Sequence, residues 1–148
     1  MAVRRIKRPK DKEDVFLELT EGDEAVFDTY KDLMIFSACV GYAQGSRKKL
    51  KKGSLEPIDF SIFSGECDRA IFNMIALTET GEPKIFESQE EMFTIFEEYA
   101  NAGLEILRRK VIDAPEKILD NLIDYLHRQK EESADDPISI LKGIGDNI

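Results

Sequence analysis

From Ser88 to Val111, Met92, Phe96, Tyr99, Gly103, Ile106 and Lys110 recur at three and four residues, with Ile95, Ala100 and Leu107 widening the stripe. That spacing predicts a helix burying one broad face. Ser88 followed by Glu91 forms a capping box, in which a hydroxyl and a carboxylate satisfy donors that a helix start leaves open. Phe93 and Leu104 fall outside the stripe, so a second side is covered too and the helix is central. Gly103 costs such a helix about 1 kcal/mol against alanine. Its presence predicts close approach of another helix backbone, the segment Tyr30 to Tyr42 being the expected neighbour.

The rest of the chain supplies the helices that cover this one. Asp11 to Thr20 places Val15, Phe16 and Leu19 on one side before Glu21-Gly22-Asp23 breaks it. Asp28 or Thr29 can cap a second helix, apolar or small at every position from Leu33 to Val40 and so buried nearly all round. Glu66 to about Thr78 forms a third, with Ala70, Ile71, Met74, Ile75 and Leu77 as its apolar set and Thr80-Gly81-Glu82-Pro83 as its stop. Ile85 and Phe86 are placed to staple the start of the Ser88 helix. After Pro115 a helix restarts through Ile118, Leu119, Leu122, Ile123 and Leu126. Pro57 to Ser64 alternates Ile58, Phe60 and Ile62 with polar residues, as an extended segment without an evident strand partner. The expectation is a mostly α, single-domain bundle of about five helices with one short extended segment. A basic N-terminal arm (1–12) precedes the helical domain (13–130), and a polar linker with a short C-terminal segment (131–148) follows it.

At 148 residues, one domain buries roughly two-thirds of its unfolded surface without covalent staples. No apolar run approaches the roughly 20 residues that span a bilayer, and the basic N-terminus lacks the apolar core of a secretory signal. No membrane contact and a cytoplasmic location are expected. Cys39 and Cys67 are the only cysteines and lack metal-ligand spacing, which predicts two small buried side chains with reduced thiols. His127, the only histidine, reads as a surface or last-turn residue.

Charge is the most uneven feature. Residues 1–12 carry six cations against Asp11, and residues 47–52 carry five, in a chain of net charge -9. Two basic islands thus sit in an acidic body. Such clusters neutralise phosphates and release counterions, although neither island interleaves the aromatic residues that stack on bases. The plainer reading makes them solvated ends, or docks them on acids of the same chain.

Candidate catalytic sets are weaker. Glu97, Glu98 and Glu105 suggest a carboxylate metal site, but the di-iron helix pattern also needs Glu-x-x-His. The three acids read as a solvated face. Asp59 with Glu82-Pro83-Lys84 has the residue types of a metal-dependent nuclease, but a Gly-Pro turn replaces the strand that this site requires. No phosphate loop or nucleophile elbow occurs. Neither a metal nor another cofactor is expected.

Four blocks also carry a family resemblance: Arg5 to Asp14, Phe27 to Tyr42 with its Tyr-Lys-Asp-Leu-Met core, Asn73 to Thr80, and Ile95 to Leu107. Together they resemble the Dnd-system-associated proteins, encoded beside bacterial DNA phosphorothioation and restriction genes. Glu97 to Gly103 is the most specific block, and the resemblance runs over roughly residues 4–110. It implies a small accessory protein of phage defence or modification-linked restriction, and carries no catalytic residues with it.

The expected function is non-enzymatic binding. Arg4, Arg5, Lys7, Arg8, Arg47, Lys48, Lys49, Lys51 and Lys52 are the candidate contacts to the DNA backbone or to a protein subunit of a defence complex. A protein-protein adaptor without nucleic-acid contact, anchored by Ile138, Ile140 and Leu141, is the alternative, and a metal-dependent nuclease the third. No oligomeric state follows from the sequence.

Overall fold

The computed structural model describes residues 4–132. Five helices surround and include the predicted central one: α1 (Glu13–Thr20), α2 (Tyr30–Ala43), α3 (Glu66–Thr80), α4 (Gln89–Leu107) and α5 (Ile118–Glu132). A two-stranded antiparallel sheet, β1 (Ile6–Pro9) with β2 (Ser54–Ile58), lies beside them. The mostly helical architecture is as expected. The apolar segment Ile138, Ile140 and Leu141 lies outside the described residues.

Helix α4 starts where the sequence places it, with the Ser88 hydroxyl accepting from the Glu91 N–H at 3.4 Å. Met92, Ile95, Phe96, Tyr99, Ile106 and Leu107 are buried, as are Phe93 and Leu104 on the second side. After Leu107 the helix widens into a π turn over Arg108–Ile112, which leaves Lys110 exposed rather than on the stripe.

The neighbour at Gly103 is α2. A Cβ added to Gly103 would stand 1.7 Å from the Ser37 carbonyl oxygen, and one added to Gly41 would stand 2.1 Å from that of Tyr99. The two glycines are reciprocal: each helix removes a side chain where the other's backbone passes. Thr29 caps α2 by accepting from the Asp32 N–H at 3.2 Å.

Three readings of the elements change. The strand is Ser54–Ile58, not Pro57–Ser64, because Phe60–Ile62 closes into a 3-10 turn. Its partner is the basic arm: Ile6 faces Ile58, Arg8 faces Leu55 and Pro9 faces Ser54. The stretch 4–8, with Ile6 alone among four cations, hides its strand character until the partner, far along the chain, is in place.

Helix α3 turns a different face inward. Phe72, Ile75 and Ala76 are buried, whereas Ala70 is exposed and Met74 is 62% exposed. The apolar residues of α3 lie on two sides, and the aromatic one wins: Phe72 stacks on Phe96 with ring centroids 4.3 Å apart. Phe60, Phe63 and Phe93 complete that cluster. Aromatic pairs at such separations add about 0.5–1.5 kcal/mol each beyond the area they bury.

The cysteines also divide. Cys39 is half-buried, which raises its thiol pKa by desolvation, but Cys67 is exposed in the first turn of α3. The Ile85 and Phe86 staple is half made, with Ile85 buried and Phe86 exposed. His127 is on the surface of α5. Among the described residues no helix is long and apolar enough to cross a membrane.

Candidate functional site

Along α4, Glu97, Asn101 and Glu105 stand four residues apart and form one polar seam beside the helix's apolar stripe. The expectation of a solvated acidic face fails here. Glu97 is 3% exposed, because the N-terminal arm folds over it. Arg4 donates to one carboxylate oxygen at 2.7 Å and the Lys7 N–H donates to the other at 2.6 Å. Burial pushes the Glu97 carboxyl above its ordinary value, against the pull of these donors.

Four and eight residues on, the seam meets the second basic island. The Asn101 amide donates to the Lys48 and Lys49 carbonyls at 3.2 Å each, and the Lys48 N–H donates to the Glu98 carbonyl at 3.1 Å. The loop is therefore pinned by its backbone. Glu105 meets the Lys12 ammonium at 3.0 Å and the Lys48 ammonium at 3.6 Å. Lys12 is wholly buried and also reaches Asp11 at 3.1 Å.

The two islands come together. Strand pairing of Pro9 with Ser54 brings Lys10 against the 45–53 loop, its side chain 3.0 Å from where a Cβ on Gly53 would stand. Lys51 reaches Asp11 at 3.6 Å, and Lys12 and Lys48 share Glu105. A third cationic run joins them. Arg108 donates to the Asp11 carbonyl at 2.9 Å and pairs with Asp14 at 2.6 Å, with Arg109 and Lys110 exposed beside it.

The nine candidate contacts have unequal environments. Arg8 is buried, its guanidinium 4.7 Å from the Phe16 ring centroid and 4.2 Å from that of Tyr30, with Nε donating to the Glu56 carbonyl at 2.8 Å. Arg4 is held by Glu90 and Glu97, Arg5 by Asp59 and Glu56. Arg47 spans Glu79 and Glu98 at 2.9 Å each. Glu79 also accepts from the Tyr99 hydroxyl, and burial with this acceptor pushes Tyr99 up to about 12. Lys48 and Lys51 make only the longer pairs at 3.6 Å. Lys7, Lys49 and Lys52 are exposed and make no ion pair among the described residues, and the same holds for Lys10.

Lys10, Lys12 and the run Arg108 to Lys110 were outside the expected set, although three consecutive cations are visible in the sequence. Asn101 was missed because one amide on an apolar helix carries no signal until its two carbonyl partners arrive.

The Lys12 hydrogen bond holds the Glu105 carboxyl below its ordinary value of 4.5, with burial opposing and Lys48 and Arg108 assisting. A depressed carboxyl stabilises the fold above its unfolded pKa and loses that contribution as pH falls through the folded value. Glu105→Gln should therefore flatten the acid side of the stability profile. Its deficit against the parent in urea midpoint should shrink from about pH 5 to about pH 3; a constant deficit would refute the linkage.

Asp59 pairs with Arg5 on a surface turn, while Glu82 and Lys84 flank the start of a 3-10 turn before α4. These residues do not occupy adjacent strands. No group of three or more His, Cys, Asp or Glu among the described residues is placed to hold a metal ion.

A family model described as DNA sulphur modification system-associated protein 4 matches residues 5–141. The match includes the four resembling blocks and continues past Pro115 through α5. No curated protein and no solved structure matches the chain.

Proposed function

We propose that this chain, which belongs to the DNA sulphur modification system-associated protein 4 family, acts there by binding, without catalysing a reaction, and meets the DNA backbone through one cationic surface. The observation that carries this reading is the β1–β2 pairing, which sets Lys10 beside Gly53 and Lys51 on Asp11. Two islands that are separate in sequence become neighbours. Lys10, Lys49 and Lys52, with the loosely paired Lys48 and Lys51, form the working group. Arg4, Arg5 and Arg47 are engaged by carboxylates and Arg8 is in the core, so their role is to hold the arm and loop in place.

An acidic body repels a polyanion except where cations gather on one face, so the arrangement also orients the approach. Contact through lysine ammonium groups reads charge, not sequence. Replacing one phosphate oxygen by sulphur keeps the phosphate anionic, and the expected affinity for modified and unmodified duplex is the same.

About four phosphate contacts should give a slope of log affinity against log salt near -3.6. Reversing Lys49 and Lys52 to glutamate should bring the slope close to zero while leaving the melting temperature nearly unchanged, because neither side chain is ion-paired among the described residues and the loop is pinned by its backbone. Fluorescence anisotropy with a labelled duplex between about 50 and 200 mM salt measures both. Absence of binding at the low end would end the nucleic-acid reading and leave the cations to an acidic protein surface. A contact to a protein subunit is the second reading, favoured by an exposed apolar stripe on α5.

A further inference from the structure

Between α5 and the end of α2 lies a cleft of about 840 Å³, a size that takes small ligands. Its two walls differ in chemistry. On one side the π turn presents Arg109 and Lys110, both exposed and without an ion pair among the described residues. A regular α-helix would return Lys110 to the buried stripe of α4, whereas the wider turn sends it outward, and such turns recur at functional sites. The turn is held in place. Arg108 bonds the Asp11 carbonyl of the arm at 2.9 Å, and the buried Asn121 amide donates to the carbonyls of Val111, Ala114 and Glu116 at 2.8, 3.2 and 2.8 Å. On the other side the Gln44 amide donates to the Tyr125 hydroxyl at 3.3 Å and to the Gln129 side chain. Both hydrogens of that amide are then used, which leaves the Gln44 carbonyl oxygen as an acceptor and the Tyr125 hydroxyl as a donor, neither with a further partner among the described residues. The acids of the lining, Glu116, Asp124 and Glu132, belong to α5 and the turn before it. Asp124 is taken by Arg128 at 3.0 Å, and Glu132 accepts from Gln129 at 3.4 Å.

We infer that this cleft binds one nucleotide unit, with the phosphate on Arg109 and Lys110 and the base edge on the free donor of Tyr125 and the free acceptor of Gln44. A nucleotide is itself two-sided, an anion joined to a neutral ring edged with hydrogen-bonding groups. The cationic wall suits the first part and the amide and phenol wall the second, while the three acids keep the phosphate off the α5 side. Position favours the same ligand. Ser46, which lines the cleft, stands at the start of the basic loop, and Arg108 ties the turn to the basic arm. The cleft therefore opens beside the lysine surface, within reach of a strand bound there. An unpaired nucleotide of a DNA strand and a free nucleotide present the same chemistry, and the inference rests on the DNA reading only for the first of these sources.

Adenine, which sets an amino donor beside a ring acceptor, is the base to test. Isothermal titration of the full chain with deoxyadenosine monophosphate should give a dissociation constant of about 0.1 mM. Inorganic phosphate should bind at least about tenfold more weakly, because it leaves the amide wall empty. Arg109→Glu combined with Lys110→Glu, both at exposed positions, should raise the nucleotide constant at least about tenfold with an unchanged circular dichroism spectrum. Tyr125→Phe keeps the ring and removes the donor, and should raise it about threefold while the phosphate affinity stays the same. A duplex carrying one unpaired adenine that binds more tightly than the fully paired duplex supports the site and assigns it to a DNA strand. Equal affinities, with the mononucleotide still bound, support the site and assign it to free nucleotide. Failure of the paired duplex alone would overturn the lysine reading and leave this one standing. No saturable mononucleotide binding up to about 5 mM, phosphate bound as tightly as nucleotide, or binding that survives the double reversal would each overturn the proposal.

Discussion

Gly103→Ala is expected to destabilise the protein by about 3 kcal/mol or more, at the upper end of overpacking costs. The melting temperature should fall by about 10 °C. The new Cβ would stand 1.7 Å from the Ser37 carbonyl oxygen and 2.5 Å from its carbon. No rotamer relieves that contact, because both partners are main chain, so α2 and α4 must separate. Separation strips packing from Leu33, Ala38, Ala100 and Leu104, all buried in the shared core. The test is a test of sign. In an open helix the same substitution stabilises by about 1 kcal/mol, so a urea midpoint or melting temperature that rises or holds would remove the close approach from the fold. Gly41→Ala probes the same crossing from α2, where the obstacle is the Tyr99 carbonyl at 2.1 Å.

The second large effect is expected at Glu97. Alanine there deprives Arg4 and the Lys7 N–H of their acceptor and should cost about 3 kcal/mol, the usual consequence of removing one partner from a buried charged pair. The loss is local in origin. Hydrogen exchange should accelerate first in β1 and β2, because β1 is held to α4 through this carboxylate and to the core through Ile6. Glu97→Gln keeps the shape and separates charge from packing. Its pH dependence runs opposite to that of Glu105. Burial raises the Glu97 carboxyl, so this group favours the fold most below its unfolded pKa and loses that contribution as pH rises through the folded value. The glutamine variant lacks this term, and its deficit should narrow as pH rises through that window. Unchanged exchange in β1 after Glu97→Ala would show that the arm is held by the strand pairing alone.

Both effects arise where the sequence was unequally informative. The α4 stripe, its Ser88 cap and the Gly103 crossing follow from local spacing, since a helix presents every third and fourth residue to one neighbour and a glycine in its interior needs a reason. The apolar run Leu33 to Val40 was readable as a nearly fully buried helix for the same cause. Helix α3 was readable as an element but not as a face. Its apolar residues lie on two sides, and only the position of Phe96 selects Phe72 over Met74. The strand β1 was not readable at all, because Ile6 alone among Arg5, Lys7 and Arg8 carries no alternation, and the Arg8 stem is accepted into the core only because Phe16 and Tyr30 flank it.

The cationic surface divides in the same way. That cations cluster at 1–12 and 47–52 is a property of the sequence, and so is the excess of acid elsewhere. Which cations remain exposed depends on acids far along the chain: Arg4 meets Glu97 and Arg108 meets Asp14. By itself the sequence determined the helices, the central place of α4 and the need for a backbone neighbour at Gly103, because short-range periodicity and the missing Cβ act within a turn or two. The tertiary structure decided that buried Glu97 and Asn101, with half-buried Glu105, anchor the arm and loop, that the two islands meet, and which lysines face solvent. Those outcomes are set by the balance of desolvation against ion pairing between distant residues, and that balance exists only once the chain has folded.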